Sequence, residues 1–209
     1  MRCGFPIPTF PRASRRVQSF PYPVGKRKGL VRRFFLAVLG SALILGIAGP
    51  SSAAEPVSVF RKLGPVDLHG DGPNFFDIGA GVFDYSERGD DVSLAGKVEV
   101  RIGKKLFFVG PALGLVANTD GGLMGYGGIY VDLSYRRVVF TTVLSLGGYH
   151  QGDSVDLGGI FQFREEFTLS YQLDNGSRLG VVWAHISNAG THDENPGENE
   201  VLVTYAIPF

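Results

Sequence analysis

Phe161-Gln162-Phe163-Arg164-Glu165-Glu166-Phe167-Thr168-Leu169-Ser170-Tyr171-Gln172 is the stretch on which the fold turns. Its odd positions are Phe161, Phe163, Glu165, Phe167, Leu169 and Tyr171, aromatic or apolar but for one glutamate. Its even positions, Gln162, Arg164, Glu166, Thr168, Ser170 and Gln172, are all polar. Strict alternation over this length is the period of a β-strand with two unlike faces. A soluble sandwich buries the apolar face and wets the polar one. A membrane barrel has the same period, with lipid against the apolar side. The neighbouring sequence has to decide between them.

Eight runs of this kind are read from the sequence, at about 74–86, 90–103, 105–117, 124–135, 137–150, 157–173, 178–188 and 199–209. They are Gly-rich, β-branched and aromatic, with no helical periodicity. Short links follow the second, fourth and sixth runs: Gly103-Lys104, Arg136-Arg137 and Asp174-Asn175-Gly176. Longer polar links, among them 118–123, 149–156 and 189–198, follow the odd-numbered runs. Short turns at one end and long loops at the other are the pattern of outer-membrane barrels. In the last run Val201, Val203, Tyr205, Ile207 and Phe209 share one face, and the chain closes on an aromatic residue. The reading is an all-β fold: an eight-stranded antiparallel transmembrane β-barrel with both termini periplasmic. Closing the sheet removes every unpaired edge, as hydrocarbon demands.

The N-terminal quarter stands apart from this pattern. Lys26, Arg27, Lys28, Arg32 and Arg33 precede an apolar run from Phe34 to Gly49, then Ser51-Ser52-Ala53-Ala54. That order predicts a secretory signal over residues 1–54, cleaved after Ala54 and carrying an over-long N-terminal region. Residues 55–73 read as a polar periplasmic lead-in, and residues 74–209 as the barrel. Nine of the 20 Lys/Arg and none of the 20 Asp/Glu lie in residues 1–54, so the rest has a formal net charge of 11 − 20 = −9. An acidic exported chain does not read as a nucleic-acid binder. Cys3, the sole cysteine, precedes the apolar run and offers neither a lipid anchor nor a disulfide. His69, His150 and His192 lack metal-ligand spacing. The glycine runs at 79–81 and 121–128 lack the strand–loop–helix setting of a phosphate loop, so neither set of residues points to a metal or an organic cofactor.

The seventh run carries the chemistry. Leu179, Val181 and Trp183 continue its apolar face, and His185 and Ser187 are the next two members. The alternate face, Gly180, Val182, Ala184 and Ile186, suits a narrow interior. An i, i+2 pair projects in one direction, so an imidazole can approach a hydroxyl that points toward lipid, near the outer-leaflet end. A serine hydroxyl needs such a base to act as a nucleophile. The oxyanion needs donors, for which Asn188, Asn195 and the backbone around Gly190 are candidates. A bare H-x-S pattern equally fits a wet strand end.

The longer string His185-Ile186-Ser187-Asn188-Ala189-Gly190, followed by Asn195-Pro196-Gly197 and an aromatic closing strand, resembles the lipid A 3-O-deacylase (PagL-like) family. The resemblance implies a bacterial outer-membrane barrel enzyme that acts on lipid A, or lipopolysaccharide, in the outer leaflet. It implies hydrolysis of the 3-O-linked 3-hydroxyacyl ester without a cofactor, with Ser187 as nucleophile, His185 as base, and Asn188 and Asn195 as oxyanion donors. A homodimer is a further partnership open to such a chain.

One position departs from the family pattern. An acidic residue is expected fourteen positions after the His, and Asn199 stands there, between Glu198 and Glu200. Counting back from Phe209 puts Asn199 on the outward face and both glutamates inside, unless a bulge intervenes. Glu165 is a further candidate. If Asp174-Asn175-Gly176 is a three-residue hairpin loop, Leu173 pairs with Ser177 and Glu165 falls opposite His185. The group that orients the imidazole is therefore left among Asn199, Glu200, Glu198 and Glu165. The competing functions are a non-catalytic structural or adhesion barrel and another outer-membrane acyl hydrolase or acyltransferase. A soluble periplasmic sandwich is the competing fold.

Overall fold

The computed structural model describes residues 56–84 and 92–209. Ten strands follow one another along the chain: β1 (Val59–Leu63), β2 (Val66–His69), β3 (Phe75–Phe83), β4 (Ser93–Arg101), β5 (Gly110–Asn118), β6 (Leu123–Tyr135), β7 (Val138–His150), β8 (Phe161–Gln172), β9 (Arg178–Ser187) and β10 (Glu198–Pro208). β3 to β10 pair antiparallel with their sequence neighbours, and β10 returns to pair with β3 from Glu200↔Phe83 to Pro208↔Phe75. The result is a closed eight-stranded antiparallel barrel, as the eight runs imply. The predicted signal segment, residues 1–54, lies outside the described residues.

Burial decides between sandwich and barrel. In β8 the polar residues Gln162, Arg164, Glu166, Thr168 and Ser170 are the buried ones, whereas Phe161, Glu165, Phe167, Leu169 and Tyr171 are exposed. The same inversion runs round the wall, with Leu113 of β5 at 68% exposure and Val203 of β10 at 60%. A water-soluble sheet of this composition would turn the other way.

The interior is held by paired charges. Lys97 Nζ lies 2.7 Å from Glu166, 3.3 Å from Asp77 and 3.8 Å from Glu99. Arg164 joins Glu166 at 2.6 Å and Glu200 at 2.7 Å. Arg178 and Lys105 meet Asp132 at 3.3 and 3.4 Å. An unpaired charge there would be costly, and these are networked. Phe83, Met124, Tyr149, Leu157, Ile186 and Leu202 belong to an apolar cluster toward one end.

Two elements differ from the sequence reading. The third run was expected from residue 105, but β5 begins at Gly110. Residues 102–109 form a longer link with a Leu106↔Val109 bridge, held by Asp71, whose carboxylate accepts the Lys105 N–H at 2.8 Å and pairs with Lys104. The segment read as a polar lead-in contains the β1–β2 hairpin. It turns at Gly64, with φ 65°, and Pro65, and β2 pairs with β6 through Asp67↔Ser134 and Leu68↔Leu133.

Candidate active site

β9 lies between β8 and β10, paired on both sides, and that fixes what surrounds His185. The β8–β9 link is the three-residue loop that the spacing suggests. Leu173 N–H donates to Ser177 O at 2.8 Å, and Gly176 takes φ 82°, a conformation that favours glycine. The register that follows sets Glu165 opposite His185 and Phe163 opposite Ser187. On the other side Asn199 is opposite His185 and Glu198 opposite Ile186.

His185 and Ser187 both point outward and are half-buried. His185 Nδ1 and Asn199 Oδ1 are 3.0 Å apart. An amide oxygen only accepts, so Nδ1 is the donor in this contact, and in the neutral ring the lone pair is then on Nε2. The ring lies parallel to Trp183, 6.3 Å between centroids and 11° between planes. Trp183 continues a stack through Phe167, at 5.8 Å, to Phe140, at 6.2 Å. The other edge of the imidazole faces Gly197, where a Cβ would stand 3.0 Å from Cε1 and 3.4 Å from Nε2. Gly197 also has φ +66°. In the sequence the signal that marks it is the Pro196-Gly197 step before a strand.

The remaining acid candidates separate cleanly. Glu200 is fully buried inside the barrel in its pair with Arg164, and Glu198 is buried with Oε1 accepting the Asp84 N–H at 2.9 Å. Neither glutamate reaches His185, because β10 pairs without a bulge and keeps both on the inner face. Glu165 is exposed on the outer face, and among the described residues it makes no hydrogen bond or ion pair. Asn199 is the group that engages the ring.

The expected oxyanion donors are rearranged. Asn188 turns inward and is fully buried. Its amide donates to Leu157 O at 2.9 Å and Glu194 O at 2.6 Å, and its Oδ1 accepts the Gly190 N–H at 2.9 Å. The Asn188 amide and the Gly190 N–H are thus committed to holding two loops, and neither is aimed at Ser187. Asn195 Oδ1 accepts the Asn188 N–H at 2.9 Å, which leaves the Asn195 amide N–H groups as donors. Among the described residues, the N–H of Ala189 has no partner, and Ala189 sits at φ 52°, two residues beyond Ser187. Sequence alone gave no signal for it.

Three carboxylates, Asp77, Glu99 and Glu166, have oxygens within 4.8 Å of one another. Lys97 Nζ already sits among them, so the cluster carries its own cation.

The family model described as lipid A 3-O-deacylase (PagL) matches residues 79–208. The chain belongs to that family. Lipid A deacylase PagL of Bordetella bronchiseptica is 38% identical over 53 residues, 25% of this chain. That match spans 30% of the relative's length. A crystal structure of the outer membrane enzyme PagL aligns with a TM-score of 0.49 at 15% identity, over 65% of this chain and 99% of that one.

Proposed function

We propose that this chain is an outer-membrane esterase that removes the 3-O-linked 3-hydroxyacyl chain of lipid A. The observation that carries the reading is the His185–Asn199 hydrogen bond on an apolar outward face, two residues from Ser187. Residues 1–54 serve as the export signal and residues 74–209 as the barrel. Both termini are periplasmic, so β9 runs outward and the pair lies toward the outer leaflet.

Nε2 of His185 accepts the Ser187 hydroxyl proton as Oγ attacks the ester carbonyl carbon. The C–O double bond becomes a single bond to an oxyanion, for which the Ala189 N–H and the Asn195 amide are the donors we assign. Collapse of that intermediate breaks the bond to the sugar 3-oxygen, which leaves with the proton from Nε2. Water then attacks the acyl-Ser187 ester, again giving its proton to Nε2. A 3-hydroxy fatty acid departs and Ser187 is restored. Each step returns the proton it borrows.

Asn199 holds the tautomer in which Nε2 is the base, and Trp183 holds the ring plane. Val181, Val201 and Val203 continue the outward face beyond the pair and offer the acyl chain an apolar track. The test is mass spectrometry of lipid A from cells expressing the chain, beside a Ser187→Ala control that still assembles in the outer membrane. Loss of one 3-hydroxyacyl mass with the native chain alone supports the proposal. Unchanged lipid A with a folded native barrel overturns it.

A further inference from the structure

The β1–β2 hairpin precedes residue 79, where the family match begins, and the site makes no use of it. Its position answers a defect in the barrel wall. β5 starts at Gly110, paired with Tyr130, whereas β6 continues to Tyr135. β7 follows β6 to the end, through Tyr135↔Val138. On the β5 side the last residues of β6 would be left as a bare edge, which hydrocarbon does not tolerate. β2 pairs there instead, through Ser134 and Leu133.

The hairpin is fastened at its base. Ser58 N–H donates to Asp71 O at 2.7 Å, Gly70 N–H to Ser58 O at 2.9 Å, and Gly72 N–H to Gly103 O at 3.0 Å. Phe60 packs against Phe107 and Phe108 of the 102–109 link, with centroids 6.1 and 5.4 Å apart. Yet much of this patch faces outward: Phe60 is 42% exposed, Leu63 50%, Leu106 74% and Phe107 67%. A clustered apolar surface of this kind calls for a partner.

Charge identifies the partner. Arg61, Lys62, Lys104, Arg136 and Arg137 stand at this end of the barrel, against Asp67, Asp71 and Asp174. At the opposite end the loops carry Asp84, Asp120, Asp153, Asp156, Asp193 and Glu194, with no Lys or Arg among the described residues. Exposed aromatic and leucine side chains with cations in excess at the same end match the boundary where acyl chains meet phosphate headgroups. The patch also continues the outward apolar wall, through Tyr135 and Val138.

We infer that the β1–β2 hairpin and the 102–109 link form a membrane annex that binds anionic phospholipid of the inner leaflet. It seals the wall where β5 stops short. This inference rests on the reading of the chain as a membrane barrel with periplasmic termini. The test uses the full chain in a Cys3→Ser background, with single nitroxide labels at Phe60→Cys and Phe107→Cys. Val203→Cys marks the barrel wall and Asp153→Cys a loop at the far end. In vesicles of phosphatidylethanolamine and phosphatidylglycerol, collision with oxygen is compared with collision with a nickel chelate. Labels at 60 and 107 are expected to be oxygen-accessible and nickel-shielded like 203, and Arg61→Glu with Lys62→Glu to shift label 60 toward nickel. Labels at 60 and 107 matching 153, with 203 still shielded, would show the hairpin in water and overturn the inference alone. Nickel access at 203 as well would overturn the barrel reading and the inference with it.

Discussion

Replacing Asn199 with Asp tests the arrangement at its most specific point. The acceptor oxygen stays, and the hydrogen bond to Nδ1 gains a full negative charge. At the 3.0 Å separation of Asn199 Oδ1 and Nδ1, two unit charges interact by about 1.4 kcal/mol at a dielectric of 80 and about 5.5 kcal/mol at 20. A half-buried ring lies toward the wetter limit. A stabilisation of about 1.4–2.8 kcal/mol of the imidazolium formed during attack corresponds to a roughly 10–100-fold higher rate. The same charge also stabilises the imidazolium of the resting enzyme, so the acid limb of the rate profile should move to higher pH. The rate is therefore read well above that limb, as 3-hydroxy fatty acid released from purified lipid A in detergent micelles. Asn199→Ala, which leaves the tautomer unfixed, should lose about 10–100-fold, the loss of one half-buried hydrogen bond plus the wrong proton position. Glu165→Gln should change the rate by less than about twofold, as for an exposed carboxylate without a bonded partner. Asn199→Asp no faster than the native chain, or Glu165→Gln as damaging as Asn199→Ala, would refute the assignment of Asn199 as the orienting group.

Three other outcomes are expected. Gly197→Ala places a Cβ 3.0 Å from His185 Cε1 at φ +66° and should lower kcat about tenfold with little change in KM, read in the same fatty-acid assay on a variant that keeps its heat-modifiable mobility. Lys97→Met leaves Asp77, Glu99 and Glu166 facing one another and should cost about 3–5 kcal/mol of stability, seen as an earlier midpoint in urea titration followed by tryptophan fluorescence. Lys104 and the Lys105 N–H hold the Asp71 carboxyl below its usual range, so the bonds they make are present above the ordinary carboxylate value and are lost as pH falls through the lowered one. Hydrogen exchange at the Lys105 amide should therefore stay protected across neutral and mildly acidic pH and open only below the usual carboxylate range. A loss of protection already at neutral pH would contradict that bond.

Much of this was legible because a strand has a period of two and no freedom to change it. Counting back from Phe209 puts Asn199 on the outward face, which His185 shares, and sends Glu198 and Glu200 inside, as the structure has them. One loop length, Asp174 to Gly176, was enough to set Glu165 opposite His185. What escaped were contacts between segments remote in sequence. Val59, Phe60 and Leu63 do not alternate, and the edge that β2 covers, near Leu133 and Ser134, lies some distance along the chain. Asn188 read as a donor for the site because its type and neighbours suit that role. Its actual partners, Leu157 O and Glu194 O, are fixed by loop packing that no local pattern encodes.

The alternation also explains how an amide can stand where a carboxylate is expected. Each residue of β9 that faces outward is flanked by one that faces in: Trp183, His185 and Ser187 alternate with the buried Val182, Ala184 and Ile186. The inner set is locked against Leu202 and Leu157, with the paired charges of Arg164, Glu166 and Glu200 alongside. Ladder bonds to β8 and β10 fix the backbone on both sides. The imidazole is therefore positioned by the sheet, and residue 199 has only to choose its tautomer. A neutral amide does that without removing a charge from water, a step that costs free energy on a membrane-facing surface in proportion to depth. A carboxylate at 199 adds transition-state charge stabilisation at that expense. Asn199→Asp should accordingly gain in rate and lose in folding stability together, by up to about 1 kcal/mol if the site lies at the interface. A gain in both would mean that position 199 is already hydrated in the resting protein.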